Sequence, residues 1–496
     1  MAATKSLQRY KVKSLNGLNG KEFARPATIS SDTDKVQLCA TWTPAQAVRV
    51  EMNRAKRPNE VMHDNHWTRR DFLKCGAAGA IAIGAPFNAS SLGADSAAPE
   101  RVRGKADACI FIWLGGGAAH VDTFDPKVRG DGKKMPGSYY DAISTAIPGV
   151  QVCEHLKQTA PLLDRCILVR SLTHGISSEH GAATNLMHTG RRPSETILYP
   201  SIGSIVTHQL GVKSDAVPAY VVMGYPNIAR DPGFLGPKYG YVYLTQIETG
   251  PNGLIRAPDV DAERQGRRES LLRAWQDEHA RKHPRDESFR AQAAINEQGF
   301  RMAGPQFLNV FDLAREPQTL RAAYGGEFGQ RCLLARRLVQ AGVRFAEVSF
   351  NLNFLNGTGW DTHNDGQLKQ HLLIKDLDQA FAALLLDLEK NRLLDTTLVV
   401  IATEFGRPPE FDSGGGRGHQ SVAFTCVLAG GGLRTGRVVG QTDELGKTVV
   451  EKPVSVADFH ATIHSALGIN PGKDLYADDR PVPITDRGLP IREIFS

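Results

Sequence analysis

Six short, almost uninterrupted apolar runs constrain this chain more than any other feature. They fall at 106–114 (ACIFIWL, after Asp107), 166–172 (CILVRSL), 219–224 (AYVVMG), 343–350 (VRFAEVSF), 396–403 (TTLVVIAT) and 424–430 (FTCVLAG). None alternates polar with apolar residues, so each reads as a strand covered on both sides. Between them, 261–300, 326–341 and 367–393 carry helical spacing. Such a pattern predicts an α/β fold, a mostly parallel central sheet with helices on both faces. It spans 104–496 as one large domain, with 225–330 inserted as loops and helices over the site edge.

Open sheets of this kind place their sites beyond the carboxyl ends of the strands. Every polar cluster obeys that rule. WLGGGAAHVD follows the first run, THGISSEHGAATNLMHTGR the second, NLNFLNGTGWDTHND the fourth and EFGR the fifth, while GGGRGHQS precedes the sixth. Five distant segments should therefore meet at one edge. The glycines Gly115, Gly116 and Gly117 do not make a dinucleotide cradle, because His120 stands where a third glycine is needed and Pro126 opposes a helix start. They make room for the chain at a crowded polar edge.

The donors at that edge suit a metal. Asp361 and His363 form an Asp-x-His pair that can grip one ion, the alternative being a loop-stabilising hydrogen bond. His419, flanked by glycines, has no apolar context to make it a core residue. Glu404 ends an apolar strand and needs a cation or hydrogen bonds there, the alternative being a salt bridge to Arg407. His120 and Asp122 are further candidate ligands, or parts of a capping turn. A mixture of imidazole and carboxylate donors prefers zinc, manganese or iron over calcium or magnesium, as one or two ions. His180 is the candidate acid or base, set against a helix-start cap or a satisfied core imidazole. His174 and His188 read as structural. Arg407 and Arg191 are candidate substrate-anion binders, set against ordinary solvated arginines.

A formal net charge of +6 on 496 residues, with basic residues scattered among acidic ones, does not imply nucleic acid. In HWTRRDFLKCGAAGAIAIGAPFNASSLGADSAAPE, Arg69-Arg70 precede a weakly apolar run too short for a stable membrane anchor. Residues 62–98 resemble a twin-arginine signal peptide, read by the twin-arginine export machinery and cleaved between Ala94 and Pro99. Location is then periplasmic or secreted. Residues 1–61 are expected to be a disordered extension or a misassigned start, with Met62 the sensible first residue. Five cysteines remain beyond the leader, without zinc spacing, and read as buried single thiols or at most one disulfide.

The segment DLDQAFAALLLDLEKNRLLDTTLVVIATEFGR resembles the sulfatase and alkaline phosphatase stretch in which a helix, a short strand and an Asp-His-Gly or Asp-Asn-Gly turn deliver metal ligands. VSVADFHATIHSALGI resembles a late sulfatase helix. With the leader, GGGAAHVDTFDPK, WDTHND and EFGR, the chain is most similar to the exported, sulfatase-like family called domain of unknown function family 1501, from about residue 62 to the end. That resemblance implies an alkaline phosphatase-like fold. The first-strand Asp-x-Gly turn is Gly115-Gly116-Gly117 here and lacks its carboxylate, which His120 or Asp122 could replace. The Asp-His-Gly turn is Glu404-Phe405-Gly406, and Phe405 cannot bind metal. Asp361 with His363, and the later His419, match the remaining ligands. At the nucleophile position stands His180 or a neighbour, with Ser177 and Ser178 the nearest hydroxyls. No Cys-x-Pro-x-Arg signature is present.

Two functions are compatible with these residues. One is an exported metal-dependent hydrolase of phosphate or sulfate esters, small-molecule or glycan, in which His180 or Ser178 serves catalysis. The alternative is a non-catalytic extracytoplasmic binding protein with a degenerate hydrolase site.

Overall fold

A computed structural model describes residues 102–495, apart from 178, 225–229, 245–246, 248–249, 252–253, 255–258, 351–358 and 365. Residues 1–61, expected to be an extension or a misassigned start, residues 62–98, read as a leader, and Ser178 lie outside the described residues. In chain order, nine strands share one sheet: β1 (Ala108–Trp113), β2 (Cys166–Thr173), β3 (Tyr220–Met223), β4 (Val242–Leu244), β5 (Phe345–Ser349), β6 (Thr397–Ala402), β7 (Phe424–Gly430), β8 (Arg437–Val439) and β9 (Val454–Ser455). All six apolar runs are among them. The other three, β4, β8 and β9, are two or three residues long, too short for periodicity to reveal.

The lateral order is β8-β2-β7-β6-β1-β5-β3-β4, with β9 also paired to β2. Pairings are parallel except the two made by β7. The sheet is therefore mixed. Between β6 and β7 lies no helix, so the chain turns back beside its neighbour, and only an antiparallel pairing allows that without a crossover. As a consequence β7 starts at the edge where the other strands end.

Alternation along β1 divides the core. Ile110 and Ile112 face one side, packed with Leu334 and Leu338 of α5 (Glu327–Ala341) and Leu377 and Phe381 of α6 (Gly366–Lys390). Phe111 and Trp113 face the other, packed with Met187 of α1 (His180–Thr189), Ile205 of α2 (Ile202–Leu210) and Phe459 and Ile463 of α7 (Val456–Ala466). Each fully buried Leu, Ile or Phe stabilises the fold by roughly 1.5–3 kcal/mol, so both helical layers are needed. On the second face Glu347 of β5 is buried, paired with Arg230 at 2.6 Å and His188 at 3.3 Å. His188 also bonds Thr184 O, which gives it a structural place.

The long stretch 261–300 divides into α3 (Ala262–Lys282) and α4 (Glu287–Met302). It does not cover the site edge as expected. Arg301 of α4 pairs with Asp215 at 3.4 Å, and Ala294 and Glu297 share a cavity of about 500 Å³ with Val217 and Ala219, just before β3. That is the opposite edge. α3 buries no residue, consistent with its high charge. All five cysteines beyond the leader are free and buried, so the disulfide alternative is not realised. Among the described residues, no helix is long and apolar enough to cross a membrane.

Candidate metal centre

The glycine run is the floor of the site. Gly116 has φ +117°, and a Cβ there would lie 2.2 Å from the Asp361 amide nitrogen. A side chain is excluded on both counts. Gly115 O accepts from Trp360 N at 3.0 Å, so the run grips the loop that carries Asp361. Gly117, at φ +87°, makes the same room for the Phe405 ring.

Arg407 locks this floor from below. Its Nε donates to Gly117 O at 2.7 Å, its Nη1 to Arg417 O at 2.6 Å and Gly418 O at 3.4 Å, and its Nη2 to Gly116 O and Asp361 Oδ1. All five donors of the guanidinium are engaged and the residue is fully buried. The reading of Arg407 as a substrate-anion binder is corrected on that ground: it has no donor left to offer. Arg191 is held elsewhere, by Asp486 at 3.2 Å and Pro483 O at 2.6 Å, with its guanidinium over Tyr199.

Above the floor, four side chains from three segments converge. Asp361 Oδ1 lies 3.6 Å from His180 Nε2, 3.3 Å from His419 Nε2 and 3.1 Å from His363 Nε2. His363 Nε2 and His419 Nε2 are themselves 3.1 Å apart. Donors of a tetrahedral ion with bonds near 2.0–2.1 Å stand about 3.3 Å from one another, and these separations bracket that value. His180, Asp361 and His419 offer atoms that all lie within 4.8 Å of one another.

In two of the three imidazoles the other ring nitrogen is occupied by a carboxylate. His180 Nδ1 donates to Glu404 Oε1 at 2.8 Å, and His363 Nδ1 donates to Asp412 Oδ2 at 3.1 Å. A carboxylate on one nitrogen orients the ring and leaves the second nitrogen for an ion. His180 Nε2 is accordingly buried without a hydrogen-bond partner. Burial favours the neutral His180 ring, but the nearby Asp361 carboxylate, 3.6 Å from Nε2, and Glu404 on Nδ1 outweigh it and raise the group to about 9. Burial likewise opposes the Asp361 carboxylate, and His180, His419 and Arg407 overcome it, holding the group well below the carboxylate range. An ion would have to displace a proton from His180.

Local sequence places each donor. His180 opens α1, whose first turn is capped by the Glu179 side chain accepting from Gly181 N and Ala182 N. Glu404 leaves β6 directly, and its Oε1 also accepts from Gly116 N at 2.7 Å. His174 Nε2 bonds Glu404 O at 2.7 Å, tying the β2 loop to the same corner. Asp412 accepts from Gly414 N and Gly416 N, fixing the glycine loop that presents His419.

His120 and Asp122 are not in the cluster. Asp122 accepts from Arg417 Nε at 2.7 Å, from Arg417 Nη2 at 2.9 Å and from Tyr139 N at 2.8 Å. Both of its oxygens are spent inside a buried ion pair. His120 is 1% exposed, with Nε2 on Gly446 O at 2.8 Å. These two therefore support the loop after β1, and the carboxylate absent from the first-strand turn has no replacement there. Glu404 stands behind His180 instead of beside the other donors. Asp412 was missed from sequence; its only signal is an acidic residue ahead of a glycine run, where a side chain caps a turn.

The fold and this corner define a class: an α/β protein with an imidazole-rich candidate metal centre at the carboxyl edge of a mixed sheet. The chain belongs to the family described as "Protein of unknown function (DUF1501)", whose model matches residues 106–495. No curated protein matches it. Similar solved structures include PsFucS1 sulfatase from Pseudoalteromonas sp., at 10% identity, 79% coverage of this chain, 76% of that chain and TM-score 0.34. Alkaline phosphatase from the Antarctic bacterium TAB5 matches at 11% identity, 74% and 98% coverage and TM-score 0.34. A protein in the alkaline phosphatase superfamily from Vibrio parahaemolyticus matches at 9% identity, 74% and 69% coverage and TM-score 0.34. At these TM-scores none of them bears on what this chain does.

Proposed function

We propose that this chain is an exported, metal-dependent hydrolase of phosphate or sulfate esters, small-molecule or glycan. The observation that carries the reading is the buried Nε2 of His180, grouped at ligand spacing with Asp361 and His419, while His363 Nε2 lies 3.1 Å from both Asp361 Oδ1 and His419 Nε2. Three imidazoles and one carboxylate suit zinc, manganese or iron better than calcium or magnesium. A bound ion would supply Lewis-acid polarisation of an ester oxygen. The chain's own residues do the rest. Glu404 and Asp412 hold His180 and His363 in one orientation each, Gly116 and Arg407 fix Asp361, and Phe405, with its ring 4.9 Å from that of His180 and 4.6 Å from that of His419, fills the space behind them.

His180 thus moves from the acid or base of the sequence reading to a candidate ligand, and Glu404 from ligand to its support. Export is supported by the match of RRDFLK to a twin-arginine consensus. A non-catalytic binding protein is the second reading, favoured by one observation: the Thr403 hydroxyl beside Glu404 already donates to Leu114 O at 2.9 Å and accepts from Ala118 N at 3.0 Å, so it is not a free nucleophile.

The experiment is metal analysis of the protein purified without chelator, followed by assay on phosphomonoesters, phosphodiesters and sulfate esters. Stoichiometric transition metal and turnover of one ester class are expected. Metal without turnover would leave the binding protein in front, and absence of metal would remove the hydrolase reading.

A further inference from the structure

Carboxylates near the candidate centre are already committed. Glu404 Oε1 serves Gly116 N and His180, Asp412 serves His363 and the amides of Gly414 and Gly416, and Asp122 serves Arg417 and Tyr139. Among the described residues only one group of side chains is spaced to hold an ion. Where a second ion would be expected to share Asp361, the carboxylate instead receives Arg407, a buried permanent cation. Phe405, against the rings of His180 and His419, offers no donor atom to complete a second site.

We infer that the centre takes a single divalent ion, with Arg407 as the fixed second cation that Asp361 bridges to it. Arg407 cannot reach a substrate, since main-chain carbonyls and Asp361 use all its donors, so it is a positioning residue that acts through Asp361. Part of the Asp361 charge is neutralised by the guanidinium, which leaves the ion more exposed positive charge than a lone carboxylate would. The inference rests on the metal-centre reading above.

Reconstitution of the full chain with Mn2+, read by metal analysis and electron paramagnetic resonance, tests it. After unbound Mn2+ is removed by gel filtration, one ion per chain is expected, with the same uncoupled signal whether one or two equivalents were added. Two ions with an exchange-coupled signal, as from a pair about 3.5–4 Å apart, would overturn the inference and leave the metal centre standing. No bound ion would overturn the metal centre itself. Charge and scaffold roles of Arg407 separate in two variants. Removing a neighbouring cation should tighten Mn2+ binding by about tenfold in Arg407→Met, while Arg407→Lys stays near the natural affinity. Equal loosening in both would assign Arg407 to scaffolding alone and overturn its role as second cation. Should neither variant fold, the stoichiometry and signal of the natural chain decide the matter.

Discussion

Asp361 is the centre of the cluster: three imidazoles and a guanidinium face one carboxylate that sits over a glycine with no room for a side chain. In such a constellation a proton on His180 stands where a metal ion would, so ion binding has to release it. Glu404 is the lever by which to test it. In Glu404→Gln the shape is kept, but the charge that orients His180 is lost. Removal of a ligand's supporting partner should weaken metal binding by about 10–100-fold, and Asp361→Asn should weaken it further. Isothermal titration with Zn2+ in the two variants reads this directly. Equal affinity in Glu404→Gln and the natural chain would show that His180 is not a ligand.

Among the elements, α7 makes a prediction of its own. Val456–Ala466 starts with a capping box, Ser455 and Asp458 each serving the other's backbone amide, and then buries two histidines one turn apart. His460 Nε2 donates to Met187 O at 2.9 Å, which pins α7 to α1 and so to His180. His464 has no hydrogen-bond partner at either ring nitrogen. Burial pushes His460 down to about 4, helped by the nearby His188 and Arg191, and burial with the neighbouring His460 pushes His464 down to about 3. Both groups bind protons more readily in the unfolded chain than in the folded one. Stability is therefore full above about pH 6.5 and falls as the pH is lowered toward those values, by about 2 kcal/mol per histidine at pH 5. Urea unfolding at pH 7.5 and pH 5 should show the loss. It should be smaller by about 2 kcal/mol in His464→Leu, an apolar replacement that needs no hydrogen bond. An unchanged pH dependence in that variant would refute the assignment.

For the whole molecule the sheet decides what can meet. Strands β1, β2, β5 and β6 end at the edge where β7 begins, so loops from residues 114, 173, 359, 403 and 417 onward come together although the first and last lie about 300 positions apart in sequence. The same scale carries the export prediction. Twin-arginine export passes folded proteins, which suits a chain whose centre forms only on folding. Replacing Arg69 and Arg70 with Lys should leave precursor in the cytoplasm, by fractionation and immunoblot, and unimpaired export would remove that reading.

The amino-acid sequence alone determined the secondary framework and its edge. A strand covered on both faces is apolar at nearly every position, the buried Glu347 being an exception held by Arg230 and His188, so six strands announced themselves, and polar clusters beyond them had to lie where the strands stop. Short edge strands such as Val454–Ser455 carry no such periodic burden and were not legible, and the helix at His180–Thr189 showed only as the helix-start alternative for His180. Donor types were legible too: Asp361, His363, Glu404 and His419 stood out as polar residues in loops that follow or precede buried strands. Their roles were not. Whether Asp122 meets an ion or Arg417, whether Glu404 binds metal or supports His180, and whether Arg407 faces a substrate or five buried acceptors are questions of which groups lie within about 3 Å. Only the crossing of loops from different strands sets those distances. A carboxylate's local sequence is the same in either case, and the partner that decides its role arrives from elsewhere in the chain.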